Sequence, residues 1–153
     1  MDCFYHKTPA GKLEICADKN GLVTVRFKNG NSVKIPPNPH IKKTVSQLNH
    51  FFSGKITSFS LTLKLKGTAF QTKIWQTIKN IPYGTTVSYR NLAAAAGYPR
   101  AYRAAAAACK ANRFAVIIPC HRVIKSNGRT GGYSAGRKRK EKLLALEKTN
   151  KAF

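Results

Sequence analysis

The chain has 153 residues, a length that suits one domain or two small ones. It carries 28 Lys and Arg against 5 Asp and Glu, a formal net charge of +23, and is 42% hydrophobic, enough for a packed core. No run of about 18 apolar residues is present, which excludes a membrane-spanning helix. The charge indicates a polyanionic partner, and nucleic acid is favoured over a membrane surface because the basic residues are spread along the whole chain.

The first half of the chain is predicted to be β-rich. Two short runs of partly alternating apolar residues, 13–17 and 22–27, are separated by a hairpin-type turn at 18–21. After a proline-rich break, the spacing of apolar residues predicts a helix over 41–52 that ends at Gly54. The alternation of Leu61, Leu63 and Leu65 with polar residues indicates a strand or an extended linker.

From Gly67 onward the pattern becomes helical. Thr68 is the predicted N-cap of a helix that stops at 81–84. A second helix is predicted over 88–96 and a third from Pro99 to about Cys109. Two short helices joined by a turn that contains glycine are typical of a helix-turn-helix.

The third predicted helix carries Arg100 and Arg103 near its start, where recognition helices contact DNA. A plain helical hairpin with a solvated basic face is the alternative. The net charge favours the DNA-binding interpretation.

A glycine-rich loop over 126–134 precedes the last predicted helix, which runs from about Gly136 through Glu147. The loop lacks the GxxxxGK[ST] pattern of a phosphate-binding loop. The basic run 137–140 is interpreted as a solvated helix face, with a phosphate contact or a localisation signal as alternatives.

The N-terminal residues and the spacing of the four cysteines indicate an intracellular protein. No basic segment followed by an apolar stretch opens the chain, so no signal peptide is predicted; we expect a cytoplasmic or nucleoid location, or a nuclear one in a eukaryote. Reduced thiols are expected because no CxxC spacing occurs among Cys3, Cys16, Cys109 and Cys120. A zinc site stays an open alternative, but we expect no metal because no standard zinc spacing occurs among Cys3, His6, Cys16, His40 and His50.

The tetrapeptide 119–122, Pro-Cys-His-Arg, is the strongest chemical signal in the sequence. Its thiol lies next to an imidazole and a guanidinium, and nearby positive charge is expected to lower the pKa of Cys120 and make it a nucleophile. A buried structural cysteine is the alternative. If Cys120 and His121 are on one strand, their side chains point to opposite faces, which favours a bridging water over the direct contact that a Cys–His hydrolase needs.

The tetrapeptide and its surroundings resemble the O6-alkylguanine-DNA alkyltransferases over Gly67 to about Glu147. The matching segments are the helix-turn-helix, 70–75, 81–84, 87–89 and 131–134, with a weaker match at 8–13. The resemblance implies an α+β fold: a small ribonuclease-H-like α/β domain over 1–64, followed by a helical, winged-helix or helix-turn-helix-like catalytic domain over 65–153.

The resemblance also implies the chemistry of the site. Cys120 would accept the alkyl group, His121 would deprotonate it through a water, and Glu147 would orient His121. Tyr133 would donate a proton or hydrogen bond to the leaving guanine. No cofactor is expected, because alkyl transfer to sulfur needs neither a metal nor a nucleotide.

Further roles are implied for the substrate and the DNA. Asn112 would brace the turn before the active-site strand, and Ser134 and Val123 would contact the substrate. Arg103 would fill the stack in place of a flipped nucleotide and Tyr89 would press on its phosphate. The other expected DNA contacts are Arg100, Arg122 and Ala104.

The resemblance therefore implies single-turnover repair of O6-alkylguanine in double-stranded DNA by a monomer. The alternatives are a non-catalytic protein that binds alkylated DNA and a helix-turn-helix transcription regulator. The presence of Cys120 argues against the first. The second has no need of the Pro-Cys-His-Arg run, and usually dimerises on a palindromic site.

Overall fold

The structure is a computed structural model that describes residues 1–32 and 34–151. Its chain forms two compact units, one of Met1–Leu65 with Arg113–Ile117 and one of Lys66–Asn112 with the residues from Ile118 onward. The α+β class expected from the sequence is confirmed. No helix in the described part is long and apolar enough to cross a membrane.

An antiparallel sheet and one helix build the first unit. The strands β1 (Asp2–Thr8), β2 (Gly11–Asp18) and β3 (Gly21–Phe27) lie in the order β1-β2-β3. The helix α1 (Pro39–Phe52) is capped by Asn38, whose side chain accepts hydrogen bonds from backbone N–H groups of the first turn. Apolar residues of β2 and α1 form the buried core of this unit: Leu13, Ile15, Ala17, Ile41, Leu48 and Phe51.

Two segments outside the named strands each bridge to β3, and one of them is 61–65, predicted as a strand or an extended linker. An isolated parallel bridge joins Leu63 to Leu22, and a second one joins Phe114 to Val25. The N–H of Val25 donates to the carbonyl of Arg113 at 2.8 Å, and the N–H of Ala115 donates to the carbonyl of Val25 at 2.8 Å. The apolar run before the Pro-Cys-His-Arg motif therefore belongs largely to the first unit, although the sequence places it in the second domain.

The second unit is mainly helical. Thr68 caps the first helix of this unit, as the sequence predicts, and it forms a reciprocal capping box with Gln71. In chain order the elements are α2 (Ala69–Lys79), β4 (Val87–Ser88), α3 (Tyr89–Ala95), α4 (Tyr102–Lys110), a 3₁₀ turn (Cys120–Arg122), β5 (Val123–Ile124) and α5 (Arg137–Lys151). The two short strands pair in parallel.

The helix α4 begins three residues later than predicted. The N–H of Ala101 donates to the carbonyl of Tyr98 at 2.9 Å, so the chain makes a separate turn before the helix, and Arg100 lies in that turn. Trp75 of α2 donates its indole N–H to the carbonyl of Ala108 at 2.9 Å, which fixes α2 against α4.

The expectation of four reduced cysteines is wrong for two of them. Cys3 and Cys16 are directly opposite each other on β1 and β2, with 4.1 Å between their Cα atoms, and form a disulfide. The register of the hairpin, which spacing rules for cysteine do not encode, brings them together. The disulfide also removes both thiols from the candidate zinc ligands. Cys109 and Cys120 are free and buried.

Reducing the Cys3–Cys16 disulfide is expected to lower the free energy of unfolding by about 2–3 kcal/mol, because closing a loop of this length restricts the unfolded chain. Denaturant titrations with and without dithiothreitol measure the difference. The double variant Cys3→Ala/Cys16→Ala is the control and should be insensitive to the reductant. An equal response of wild type and double variant would contradict the prediction.

Candidate active site

The Pro-Cys-His-Arg motif forms a 3₁₀ turn rather than the strand assumed from the sequence. The N–H of Arg122 donates to the carbonyl of Pro119 at 2.9 Å, and the N–H of Cys120 donates to the carbonyl of Ile118 at 2.7 Å. Successive side chains in a 3₁₀ turn are about a third of a turn apart. Cys120 and His121 therefore point in different directions, as on a strand, and both are buried.

Glu147 of α5 lies at the centre of the site and is 1% exposed. Its Oε2 is 2.5 Å from Nε2 of His121 and accepts Nη2–H of Arg122 at 3.1 Å. Its Oε1 accepts Nε–H of Arg122 at 2.8 Å and the backbone N–H of Gly84 at 3.0 Å. Burial acts to raise the pKa of Glu147, but His121 and Arg122 together hold it at about 2, so the carboxylate is ionised.

The Ile-Pro-Tyr-Gly segment at 81–84 supplies the backbone part of this arrangement. Gly84 has a φ of +75°, a conformation that favours glycine, and this turns its N–H toward Glu147. The carbonyl of Ile81 accepts Nη1–H of Arg122 at 2.8 Å. The turn that ends α2 therefore also holds the carboxylate and the guanidinium.

Arg122 was expected at the DNA, but the structure buries its side chain inside the site. The residue is 5% exposed, and its guanidinium donates to both oxygens of Glu147 and to the carbonyl of Ile81. A guanidinium committed in this way is an internal counter-ion, because exposing it would leave a buried carboxylate without its partner.

His121 is fully buried and has one ring nitrogen on Glu147. Burial lowers the pKa of His121 more than Glu147 raises it, and the nearby cations Arg122 and Lys140 lower it further. The ring is therefore neutral near pH 7. With Nε2–H on Glu147, Nδ1 is left as an acceptor, and no group in the described part of the chain bonds it.

The surroundings of Cys120 raise its pKa, and the expected lowering is wrong. A hydrogen bond with the Cys109 thiol, burial and the charge of Cys109 all disfavour the thiolate. Asn112 and Lys140 act in the opposite direction but do not outweigh them. The positive charge that was expected to lower the pKa is missing, because His121 is neutral and Arg122 is paired with Glu147.

Asn112 links the end of α4 to the nucleophile. Its Nδ2 donates to the carbonyl of Ile118 at 3.0 Å and to Sγ of Cys120 at 3.2 Å. The brace expected from the sequence is thus present, although it leads into a turn and not into a strand. The amide also bonds the sulfur directly, and a donor of this kind stabilises a thiolate.

A small cavity of about 10 Å³ lies beside Cys120, with room for roughly one water. Tyr133, Ser134 and Tyr89, all predicted from the sequence, line it together with Gly132. Two further lining residues, Cys109 and Lys110 at the end of α4, were not singled out. Their position at the end of the recognition helix, just before Asn112, is the signal that could have identified them.

Both tyrosines of the cavity are protonated near neutral pH. Burial raises the pKa of Tyr89 to about 12, helped by the two nearby thiols. Burial also raises the pKa of Tyr133, with Cys120 contributing. Each phenol is therefore available as a hydrogen-bond donor.

Lys140 differs from its sequence-based interpretation, and it contacts Val123, an expected substrate contact. The Val123 side chain is fully buried, so any contact of this residue with a substrate has to use its backbone. Its carbonyl accepts Nζ–H of Lys140 at 2.6 Å. The solvated face predicted at 137–140 is wrong for Lys140, which is 0% exposed.

The expected DNA contacts other than Arg122 lie on or next to the helix-turn-helix. Arg103 and Ala104 are exposed in the first turn of α4, and Arg100 is exposed in the preceding turn. Tyr89 is the first residue of α3 and reaches from there to the cavity. No group of three or more His, Cys, Asp or Glu side chains is placed to hold a metal ion in the part of the chain that the structure describes.

A helix-turn-helix beside a buried cysteine and a His–Glu pair is the arrangement expected of a DNA alkyltransferase. Comparison with known families finds the "6-O-methylguanine DNA methyltransferase, DNA binding domain" over residues 69–149 and the corresponding "ribonuclease-like domain" over residues 1–65. The chain belongs to the 6-O-methylguanine DNA methyltransferase family, which confirms the resemblance seen in the sequence.

Individual relatives agree over nearly the full length. A methylated-DNA–protein-cysteine methyltransferase of Methanosarcina barkeri is 40% identical over 94% of this chain and 95% of its own. One of Mycobacterium bovis is 47% identical over 93% and 89%. The crystal structure of the Mycobacterium tuberculosis protein OGT in complex with DNA matches with a TM-score of 0.87, at 37% identity over 97% and 93%.

The buried carboxylate predicts a specific loss of stability in acid. The pKa of Glu147 is about 2 in the folded chain against 4.5 when free, so its contribution is complete above about pH 4.5 and disappears as the pH falls toward 2. We expect wild type to lose roughly 3 kcal/mol more than Glu147→Gln over that range. Denaturant titrations at several pH values measure this.

The matched control is Glu141→Gln, which removes a half-exposed carboxylate from the same helix and should keep the wild-type slope. Parallel curves for wild type and Glu147→Gln between pH 5 and 2 would contradict the assignment.

Proposed function

We propose that this protein repairs DNA by moving the alkyl group of an O6-alkylguanine to the sulfur of Cys120. The observation that carries the proposal is the buried thiol bonded by Asn112, just past the helix-turn-helix, and followed in sequence by a neutral His121 that Glu147 orients. Membership of the family supports the same chemistry. The arrangement supplies a nucleophile, a base and an orienting carboxylate.

The thiol is deprotonated when it reacts, and not before. Its raised pKa keeps it neutral at rest, and Nδ1 of His121 is the acceptor available for the proton. Because the side chains point apart, the proton passes through a water. Glu147 stabilises the imidazolium that forms, since its pKa keeps it ionised throughout.

The transfer is a single in-line displacement. The sulfur lone pair forms the new S–C bond while the C–O6 bond breaks, and its electrons remain on the guanine. Tyr133, kept protonated by burial, donates a hydrogen bond or proton to the leaving base, and Ser134 contacts its O6 region. The thioether product is stable, so each molecule acts once.

Delivery of the base requires its removal from the duplex. The cavity of about 10 Å³ beside Cys120 has room for roughly one water, so the lining residues have to move to admit a guanine. Extrusion costs a few kcal/mol, and Arg103, exposed on α4, takes the vacated place in the stack while Tyr89 presses on the phosphate. Arg100 and Ala104 contact the minor-groove side of the backbone.

The partner is therefore duplex DNA with an O6-alkylguanine, bound by a monomer inside the cell. The large positive charge accelerates association with any duplex and makes binding dependent on salt. Recognition of the lesion then depends on the extruded base.

One equivalent of protein should remove one methyl group from an O6-methylguanine duplex, with the methyl found on Cys120. Peptide-resolved mass spectrometry after mixing at equal concentrations makes the measurement. Cys120→Ala should bind DNA and transfer nothing, because the nucleophile is missing. Cys109→Ala, which removes the other free thiol of the cavity, should still take up the methyl. Repeated turnover, or a methyl on Cys109 in the wild type, would disprove the proposal.

Arg103→Ala should impair duplex repair far more than reaction with free O6-benzylguanine. Extrusion costs a few kcal/mol in a duplex and nothing for a free base, and each 1.4 kcal/mol is tenfold in rate. We expect at least a tenfold loss on duplex DNA and a near wild-type rate on the free base, both from single-turnover kinetics.

Arg100→Ala is the matched variant, from the turn before the same helix. It should weaken binding to any duplex and reduce the salt slope by about one, as loss of a phosphate contact does. Equal loss of both reactions in Arg103→Ala would show that Arg103 supports the folded site instead of replacing the base.

A further inference from the structure

Lys140 is a fully buried lysine in the first turn of α5. Its neighbours Arg137 and Lys138 are exposed, so burial is specific to this residue and not a property of the basic run. A cation in the first turn of a helix also opposes the helix dipole. Burial and dipole both act against a lysine here, and its presence therefore requires a compensating interaction.

The compensating interactions join two segments of the proposed site. Nζ of Lys140 donates to the carbonyl of Val123 at 2.6 Å and to the carbonyl of Gly132 at 3.2 Å. Val123 comes three residues after the nucleophile Cys120, and Gly132 immediately precedes Tyr133. The ammonium also lies 5.7 Å from the ring centre of Tyr89, a cation–π distance.

We propose that Lys140 is a positioning residue for alkyl transfer, whose buried ammonium ties the Tyr133 loop to the nucleophile segment and supplies a positive charge beside the Cys120 sulfur. The inference rests on the proposed function for the identity of the reaction. The tether follows from the two hydrogen bonds of Nζ, and the charge lies near the sulfur because Gly132 and Tyr89, both next to the ammonium, line the Cys120 cavity.

An ammonium suits this position better than other donors. It is a compact group with three N–H donors that can serve two carbonyls at different angles, whereas a guanidinium is planar and larger. Burial lowers the pKa of Lys140, while the two carbonyl acceptors and negative charge that develops on Cys109 or Cys120 favour the protonated form. The same interaction, seen from the sulfur, favours the Cys120 thiolate.

The charge of Lys140 matters because little else favours the thiolate. Asn112 is the other group that lowers the thiol pKa, and Cys109 raises it. Arg122 is paired with Glu147, whereas Lys140 is a cation that lowers the pKa of the Cys120 thiol. The titratable groups that surround the pair come from α3, α4, the 3₁₀ turn and the Tyr133 loop; they are Tyr89, Cys109, Lys110, His121, Arg122 and Tyr133.

The experiment measures the reactivity of Cys120 as a function of pH with two reagents. Iodoacetamide, read by peptide-resolved mass spectrometry, reports the thiolate without any need for a guanine. Free O6-benzylguanine reports alkyl transfer without DNA. The variants are Lys140→Met, which removes tether and charge at similar length, and Lys140→Gln, which keeps an N–H donor without the charge. Lys138→Met is the control on the exposed side of the same helix turn.

Both Lys140 variants should move the iodoacetamide profile of Cys120 to higher pH. Each rise of one pH unit in the midpoint of the profile should reduce the reaction near neutral pH about tenfold. The midpoint for transfer from O6-benzylguanine should rise equally. Its limiting rate at high pH should fall further in Lys140→Met than in Lys140→Gln, because only the latter keeps a donor for the carbonyls. Lys138→Met should follow wild type in both.

A Lys140→Met profile that coincides with that of Lys138→Met overturns the inference. If Lys140→Met does not fold by circular dichroism, the profile of Lys140→Gln tests the inference instead. If neither folds, Lys140→Arg tests it: the retained charge should keep the wild-type midpoint and the larger planar group should lower the limiting rate of transfer, whereas a shifted midpoint or a wild-type rate overturns the inference. Failure of the proposed function looks different: wild type would then react with iodoacetamide at Cys120 but take nothing from O6-benzylguanine.

Discussion

The buried carboxylate of Glu147 joins the parts of the second unit on which the site depends. Four hydrogen bonds converge on it, from the two basic side chains of the 3₁₀ turn and from the backbone turn that follows α2. A buried ion pair adds little net stability, but removing one partner costs about 3–5 kcal/mol because the other charge is left unpaired. The geometry of His121 and the folding of this unit therefore rely on the same interaction and cannot be varied independently.

In this arrangement the two basic residues that follow Cys120 do not convert its thiol to a thiolate at rest. The guanidinium of Arg122 is neutralised by Glu147, and His121 carries no charge at rest, so neither makes Cys120 a resting thiolate. A thiol that stays neutral in a buried site is protected from oxidation and from stray electrophiles, because the thiolate is the reactive species. Under the proposed single-turnover reaction this protection matters, since any side reaction would consume the molecule.

Local signals in the sequence predicted several of the turns, caps and helices. The Thr68 cap, the hairpin turn before Gly21 and the last helix each depend on residues within a few positions, and all are present. The pairing of His121 with Glu147 came from the family resemblance, and the structure brings the two side chains into contact. The role of each residue in transfer stays a prediction.

What the sequence did not predict depends on contacts between distant segments. The register of β1 on β2 pairs Cys3 with Cys16, and α5 buries one lysine of a basic run while its neighbours stay in solvent. The raised pKa of Cys120 is of the same kind: adjacency in sequence suggested a lowered value, but burial, Cys109 and the pairing of Arg122 decide it. Motif spacing carries none of this information.

The distribution of acidic residues explains how one small protein keeps both a charged interior and a strongly basic exterior. Residues 66–153 contain two side-chain carboxylates, Glu141 and Glu147. Glu147 is paired with His121 and Arg122 in the interior, and Glu141 pairs with Arg137 of the same helix. The exposed cations of the helix-turn-helix, Arg100 and Arg103, therefore have no side-chain carboxylate from this stretch to compete with a phosphate. Attraction to DNA and assembly of the buried site thus depend on separate sets of charges. Added salt weakens the attraction to DNA but has little effect on the buried ion pairs, because they are shielded from solvent.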